Sequence, residues 1–136
     1  MKIEPYLSFE GRCEEAIEFY RKALGAEVNL LLRFKEAPPE VAGQMSPGSG
    51  DKVMHASLRI GDTTLLASDG RCTGKGSFHG MSLSLTAKDE ADAQRRFAAL
   101  AEGGQVQLAL HQTFFARCFG MLADRFGVQW MVVVPA

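Results

Sequence analysis

One arrangement of elements occurs twice along this chain, and that repetition limits its fold more than any other feature. Each half reads strand, helix, glycine, strand, and then a strand hairpin. The first copy runs through PYLSF, CEEAIEFYRKAL, Gly25, EVNLLLRF and the hairpin VMHASLRIGDTTLLAS, closed by Gly61 and Asp62. The second runs through MSLSLTA, DEADAQRRFAALAE, Gly103 and Gly104, QVQLALH and ARCFGMLADRFGVQWMVVV, turning between Asp124 and Gly127. The pattern predicts an α+β chain of two tandem β-α-β-β-β modules, about 1–70 and about 78–136, in one domain with a curved mixed sheet and the helices on its outer face. Two such units side by side leave a concave sheet surface, a shape that usually holds a small molecule.

The periodicities support each assignment. Ile3, Pro5, Leu7 and Phe9 alternate with polar neighbours, as in a half-buried strand. From Cys13 the apolar residues become Ala16, Ile17, Phe19, Tyr20, Ala23 and Leu24, a helical stripe with acids early and bases late. Gly25 then ends the helix by taking a left-handed conformation at little cost. With 136 residues, 46% of them apolar, the chain is long enough to bury roughly two thirds of its unfolded surface.

Charge and composition narrow the partners. Fifteen Lys and Arg against sixteen Asp and Glu give a formal charge of -1, so no basic excess invites nucleic acid or an anionic membrane. No segment approaches the ~18 apolar residues of a membrane span, and MKIEPYLSFE lacks the apolar core of a leader. Cys13, Cys72 and Cys118 are three, widely spaced and without a CxxC pair, which fits free thiols in a reducing compartment. A soluble, unexported, cytoplasmic protein is expected. The stretch between Lys35 and Lys52, with three prolines and three glycines, predicts a loop, either a connector or a lid. The Gly-rich DGRCTGKGSFHG is expected to link the halves; no helix follows it and no Lys-Ser pair completes a phosphate cradle.

The ordered set PYLSF, CEEAIEFYRKALG, KVMHASLRIGD, LLASD, LAEGGQV and FGMLADRFGVQWMV resembles the PhnB-like branch of the vicinal oxygen chelate superfamily, whose other branches include glyoxalase I, extradiol dioxygenases and the fosfomycin and bleomycin resistance proteins. The resemblance spans nearly the whole chain. It implies paired β-α-β-β-β modules, a homodimer, and a cavity where the sheets curve together. It also implies four positions for divalent-metal ligands, normally His or Glu. Here they fall on Pro5, Ala67, Met131 and either Met81 or Ser82, none of which supplies an imidazole or carboxylate. Thioether and hydroxyl groups are poor ligands for hard or borderline divalent ions, so no metal and no other cofactor is expected. A ubiquinone-pathway methyltransferase activity, another label of this branch, has no visible strand, Gly-rich turn and helix for S-adenosylmethionine.

Candidate site residues follow from strand parity. Met54, Ala56, Leu58 and Ile60 should face the helix, which turns Val53, His55, Ser57 and Arg59 toward the groove. A His, a Ser and an Arg there suit an anion or a carbonyl, or proton transfer near neutral pH; a sheet-surface or dimer-contact histidine is the plainer reading. Leu7, Phe9, Leu65, Ala67 and Met131 are expected as the apolar wall, with Gln129 and Val133 beside Met131. Asp69 stands either at the groove mouth or as the cap of the turn into Gly70. Phe114 and Phe115 are either a ligand wall or core. His79 and His111 read as solvated or structural, Asp124 as a turn residue, and Trp130 as core. These residues point to a small-molecule-binding protein, with an enzyme using His55 or an unforeseen metal site, or a purely structural module, as alternatives.

Overall fold

A computed structural model describes residues 1–38, 40 and 49–136. The expected 35–52 loop lies largely outside these residues, and with it the question of a lid. The described chain divides into two units, Met1–Gly76 and Ser77–Ala136, and each is built in the same way. No helix among the described residues is long and apolar enough to cross a membrane.

Unit 1 contains β1 (Tyr6–Ser8), α1 (Cys13–Leu24), β2 (Glu27–Arg33), a short 3-10 turn (Phe34–Glu36), β3 (Val53–Ile60) and β4 (Thr63–Ser68). Its sheet order is β1-β4-β3-β2, parallel between β1 and β4 and otherwise antiparallel. Unit 2 repeats the plan with β5 (Leu83–Thr86), α2 (Glu90–Ala101), β6 (Gln105–His111), β7 (Ala116–Ala123) and β8 (Gln129–Pro135), in the order β5-β8-β7-β6. The fold is therefore α+β, with two similar modules and two mixed four-stranded sheets.

The helices form where the sequence stripes predict. In α1 the buried residues are Cys13, Ala16, Ile17, Tyr20 and Leu24, spaced to lie along one side. Gly25, at φ 69°, turns the chain out of the helix while its N–H still reaches the carbonyl of Arg21. The left-handed conformation would cost a residue with a Cβ about 1–2 kcal/mol. Helix α2 starts at Asp89, whose carboxylate accepts the N–H of Asp92, while Asp92 in turn accepts the N–H of Lys88. This reciprocal capping satisfies donors that the first turn cannot pair internally.

Each sheet has one buried face and one open face. In unit 1, Leu7 pairs with Ala67, Ala67 with Ala56, and Leu65 with Leu58, all of them buried. In unit 2, Trp130 pairs with Leu83 and Leu122, and Val132 with Leu85 and Gly120. Directly paired residues share a face, so these sets form the core under the helices. The outermost strand of unit 2, β6, is exposed at most positions, including Val106 and Leu108, and its QVQLALH contains no Lys, Arg, Asp, Glu or Pro.

Candidate functional site

On the open face of unit 1, the alternation along β3 sets His55, Ser57 and Arg59 opposite the buried Ala56 and Leu58. The neighbouring strands add residues in register: Tyr6 pairs with Leu66, Leu66 with Ser57, Ser57 with Leu30, and Thr64 with Arg59. Tyr6 reaches across this surface to His55, with its hydroxyl 3.1 Å from Nδ1 and the ring centroids 5.6 Å apart. Sequence parity alone missed Tyr6; its place beside Pro5 and Leu7 carried the signal, because the register of β1 against β4 turns it to the His55 side.

The same register corrects the expected apolar wall. Leu7, Phe9, Leu65 and Ala67 are all buried on the helix side, away from His55. Val53 is buried too, because a register shift between Leu32 and Arg33 breaks the alternation at the start of β3. Ligand contact for Leu7 and Ala67 at the same surface as His55 does not fit this geometry.

Asp69 is also on the inside, with 1% of its surface exposed. Its Oδ1 accepts the N–H groups of Gly11 at 2.9 Å and Cys13 at 2.7 Å, and its Oδ2 accepts that of Val53 at 2.7 Å. The carboxylate thus closes the end of β4 onto the first turn of α1 and the start of β3. The Cys13 thiol is pushed up to about 12, mainly by burial and then by the nearby charges of Asp69 and Glu14, so it does not ionise near neutrality. Nearby, Glu10 holds φ 50°. Its carboxylate accepts from Ser8 Oγ, Thr73 Oγ1 and the N–H of Arg71. The Ser8 hydroxyl, with Thr73 and Arg71 behind it, keeps that carboxyl below the ordinary value despite partial desolvation.

Register also matches the open faces of the two units position by position. Because Ala56 and Gly120 face Ala67 and Val132, His55 corresponds to Phe119, Ser57 to Met121 and Arg59 to Ala123. Likewise Tyr6 corresponds to Ser84, Leu66 to Met131 and Thr64 to Gln129. The matched strands are chemically different: β3 carries an imidazole, a hydroxyl and a guanidinium on the open face, where β7 carries a phenyl ring, a thioether and a methyl group. Gln129, Met131 and Val133 lie half-buried on the unit 2 open face, while Trp130 is core and donates Nε1–H to Asp124 at 2.9 Å. Phe114 and Phe115 belong to neither core; Phe114 is fully exposed, and the rings of Phe114, Phe115 and Phe119 stack edge to face. His111 ends β6 and bonds its own strand through the Ala109 carbonyl, and His79 lies in the turn before β5.

These residues do not fit the divalent metal of the superfamily. Ala67 is buried on the helix side, Met131 offers only a thioether, and the open-face residues beside the other expected ligand positions, Tyr6, Leu66 and Ser84, offer a phenol, an alkyl group and a hydroxyl. Among the described residues no three His, Cys, Asp or Glu gather closely enough to hold an ion.

A family model described as 3-demethylubiquinone-9 3-methyltransferase matches residues 1–133. The chain belongs to that family. It is 35% identical over 142 residues to protein YjdN of Escherichia coli, covering 98% of this chain and 95% of that protein. Among solved structures, PA1353 from Pseudomonas aeruginosa shares 41% identity at a TM-score of 0.85, covering 99% of this chain and 98% of that one. A putative 3-demethylubiquinone-9 3-methyltransferase, PhnB protein, from Bacillus cereus shares 28% at 0.81, covering 98% and 99%. Lactoylglutathione lyase from Agrobacterium tumefaciens, at 18% identity and a TM-score of 0.58 over 98% of this chain and 92% of that one, has the same fold. The family is thus PhnB-like, and its fold is one shared with glyoxalase-related proteins.

Proposed function

We propose that this family member binds a small organic molecule against the open sheet face of unit 1, without a divalent metal at the superfamily's ligand positions. One observation carries this reading. Unit 1 presents a face on which Ser57 Oγ and the Arg59 guanidinium have no hydrogen-bond partner among the described residues, while the four metal positions and their open-face neighbours lack imidazole and carboxylate donors. Such a face suits a ligand held by apolar contact and a few directed hydrogen bonds. The family resemblance, which implies a homodimer, and the three free thiols support a cytoplasmic homodimer as the working form.

The methyltransferase in the family's description would need S-adenosylmethionine, and the helix starts do not fit that cofactor. In unit 1 the N–H groups of Gly11 and Cys13 are already taken by Asp69, and in unit 2 those of Lys88 and Asp92 are taken by Asp92 and Asp89. A carboxylate of the chain sits where a helix N-terminus would receive an anionic group.

The test combines metal analysis of protein prepared without chelator with thermal melting against a panel of small organic acids, ketones and neutral aromatics. Substoichiometric metal and a concentration-dependent rise in Tm with the compound recovered unchanged are expected. A stoichiometric divalent ion whose removal abolishes ligand binding overturns the reading. A second reading, an enzyme with His55 as acid or base, is favoured by the Tyr6–His55 hydrogen bond alone. In that case His55→Ala abolishes product formation while only weakening the ligand-induced rise in Tm.

A further inference from the structure

We infer that the His55 face of unit 1 receives the carboxylate of a small, flat organic acid, and that Tyr6 is the positioning residue that presents the imidazole to it. This rests on the binding role proposed above and names its ligand class.

The argument begins with the 3.1 Å contact between the Tyr6 hydroxyl and His55 Nδ1. A phenol is a good donor and a weak acceptor, whereas the bare nitrogen of a neutral imidazole is a strong acceptor. Tyr6 therefore donates, Nδ1 accepts, and the ring proton resides on Nε2. Among the described residues Nε2 has no hydrogen-bond partner, and neither have Ser57 Oγ or the Arg59 guanidinium. Arg33, Arg95 and Arg125, by contrast, are all held by acceptors of the chain. On an extended strand, residues two apart on one face lie about 7 Å from each other. His55, Ser57 and Arg59 thus form a row of three donors along one edge of a surface whose middle, between Tyr6 and Ser57 in register, is the alkyl group of Leu66.

The chemistry of that row selects its guest. A guanidinium fork matches the two oxygens of a carboxylate, and the hydroxyl and imidazole N–H can take a second oxygen function or the far lone pairs. Leu66 and the Tyr6 ring offer flat apolar contact to the body of the ligand. The charge count limits it to a single negative charge: Glu27 faces Arg59 across the strand pair, and Glu4 lies two residues before Tyr6. One guanidinium with acids alongside suits a delocalised monoanion better than a phosphate dianion. Unit 2 supplies the internal contrast, since Phe119, Met121 and Ala123 stand at the matching positions and can donate nothing.

The test uses the full chain with benzoate, benzamide and phenyl phosphate as probes, followed by NMR of the histidine ring nitrogens and backbone amides. In the free protein His55 is expected as the Nε2–H tautomer, shifting to a mixture in Tyr6→Phe. Benzoate is expected to shift His55 and Ser57 saturably, with benzamide about tenfold weaker and phenyl phosphate no tighter. Arg59→Gln should weaken benzoate about tenfold with an unchanged amide spectrum elsewhere, and Tyr6→Phe should weaken it by a smaller factor. A merely structural tyrosine would leave the tautomer unmoved. The Nδ1–H tautomer in the free protein, or benzoate binding indifferent to Arg59→Gln, overturns the inference. If benzoate fails while a neutral compound of the melting panel raises Tm, the carboxylate class falls and the binding role stands. If nothing in either set binds, both fall.

Discussion

Two buried aspartates each organise a unit through their side-chain oxygens. Asp69 takes three backbone N–H groups from α1 and β3, and Asp124 takes those of Phe126 and Val128 together with the indole of Trp130. A buried donor left without its acceptor costs about 1–3 kcal/mol. Asp69→Ala strands three of them, so a loss of about 3 kcal/mol or more is expected in urea unfolding followed by circular dichroism. A variant within ~0.5 kcal/mol of the parent would mean that water replaces the carboxylate there, since that is the usual range for a surface change. Asp69 also marks a limit of sequence reading. A residue at a strand end before Gly-rich sequence looks like a turn cap, and nothing local reveals that its partners come from 56 and 58 positions away.

At the scale of elements, helix α1, the β3–β4 hairpin and strands β6, β7 and β8 fall where the periodicities put them, because amphipathic repeats and turn glycines are local signals. The faces were harder to read. The parity of β3 was legible from its own alternation, yet that of β1 and β4 depends on pairing with β3, and the register shift at Arg33 buries Val53 against the simple alternation. That is why Tyr6 was missed and Leu7 and Ala67 were placed on the wrong side. Close packing between elements gives a sharper test. A Cβ at Gly104 would collide with the backbone of Ala123 and Asp124, while one at Gly127 would meet nothing, although Gly127 holds φ 86°. Gly127→Ala should cost about 1–2 kcal/mol from its backbone conformation. Gly104→Ala should cost more than that, because backbone of β7 must move, and paired urea melts of the two variants check the order.

For the whole molecule, several carboxylates share one titration behaviour. Glu10 is held low by Ser8, and Glu14 by its paired Arg33 at 2.6 Å. Asp51 is held low by Lys35; for Asp92 burial pulls upward, but the Lys88 N–H and the guanidiniums of Arg96 and Arg95 outweigh it. A folded-state value below the unfolded one means that the unfolded chain binds the proton first as pH falls. Their stabilisation is therefore complete above the ordinary values of 4.5 for Glu and 3.8 for Asp, and drains away below them. Stability should be flat from neutrality to about pH 5 and fall below it, with Glu10→Gln reducing the slope in an acid titration by fluorescence. A slope unchanged in that variant would assign the loss to other groups. The border strand QVQLALH has a different consequence for anyone handling this chain. It has no lysine, proline or like charge to repel a visitor, and as the outer strand of its sheet among the described residues it is a template for another strand. Once heat or acid loosens the fold, that hem is where molecules are expected to join, and the loss should grow with protein concentration, so melts belong at the lowest concentration that still gives a signal.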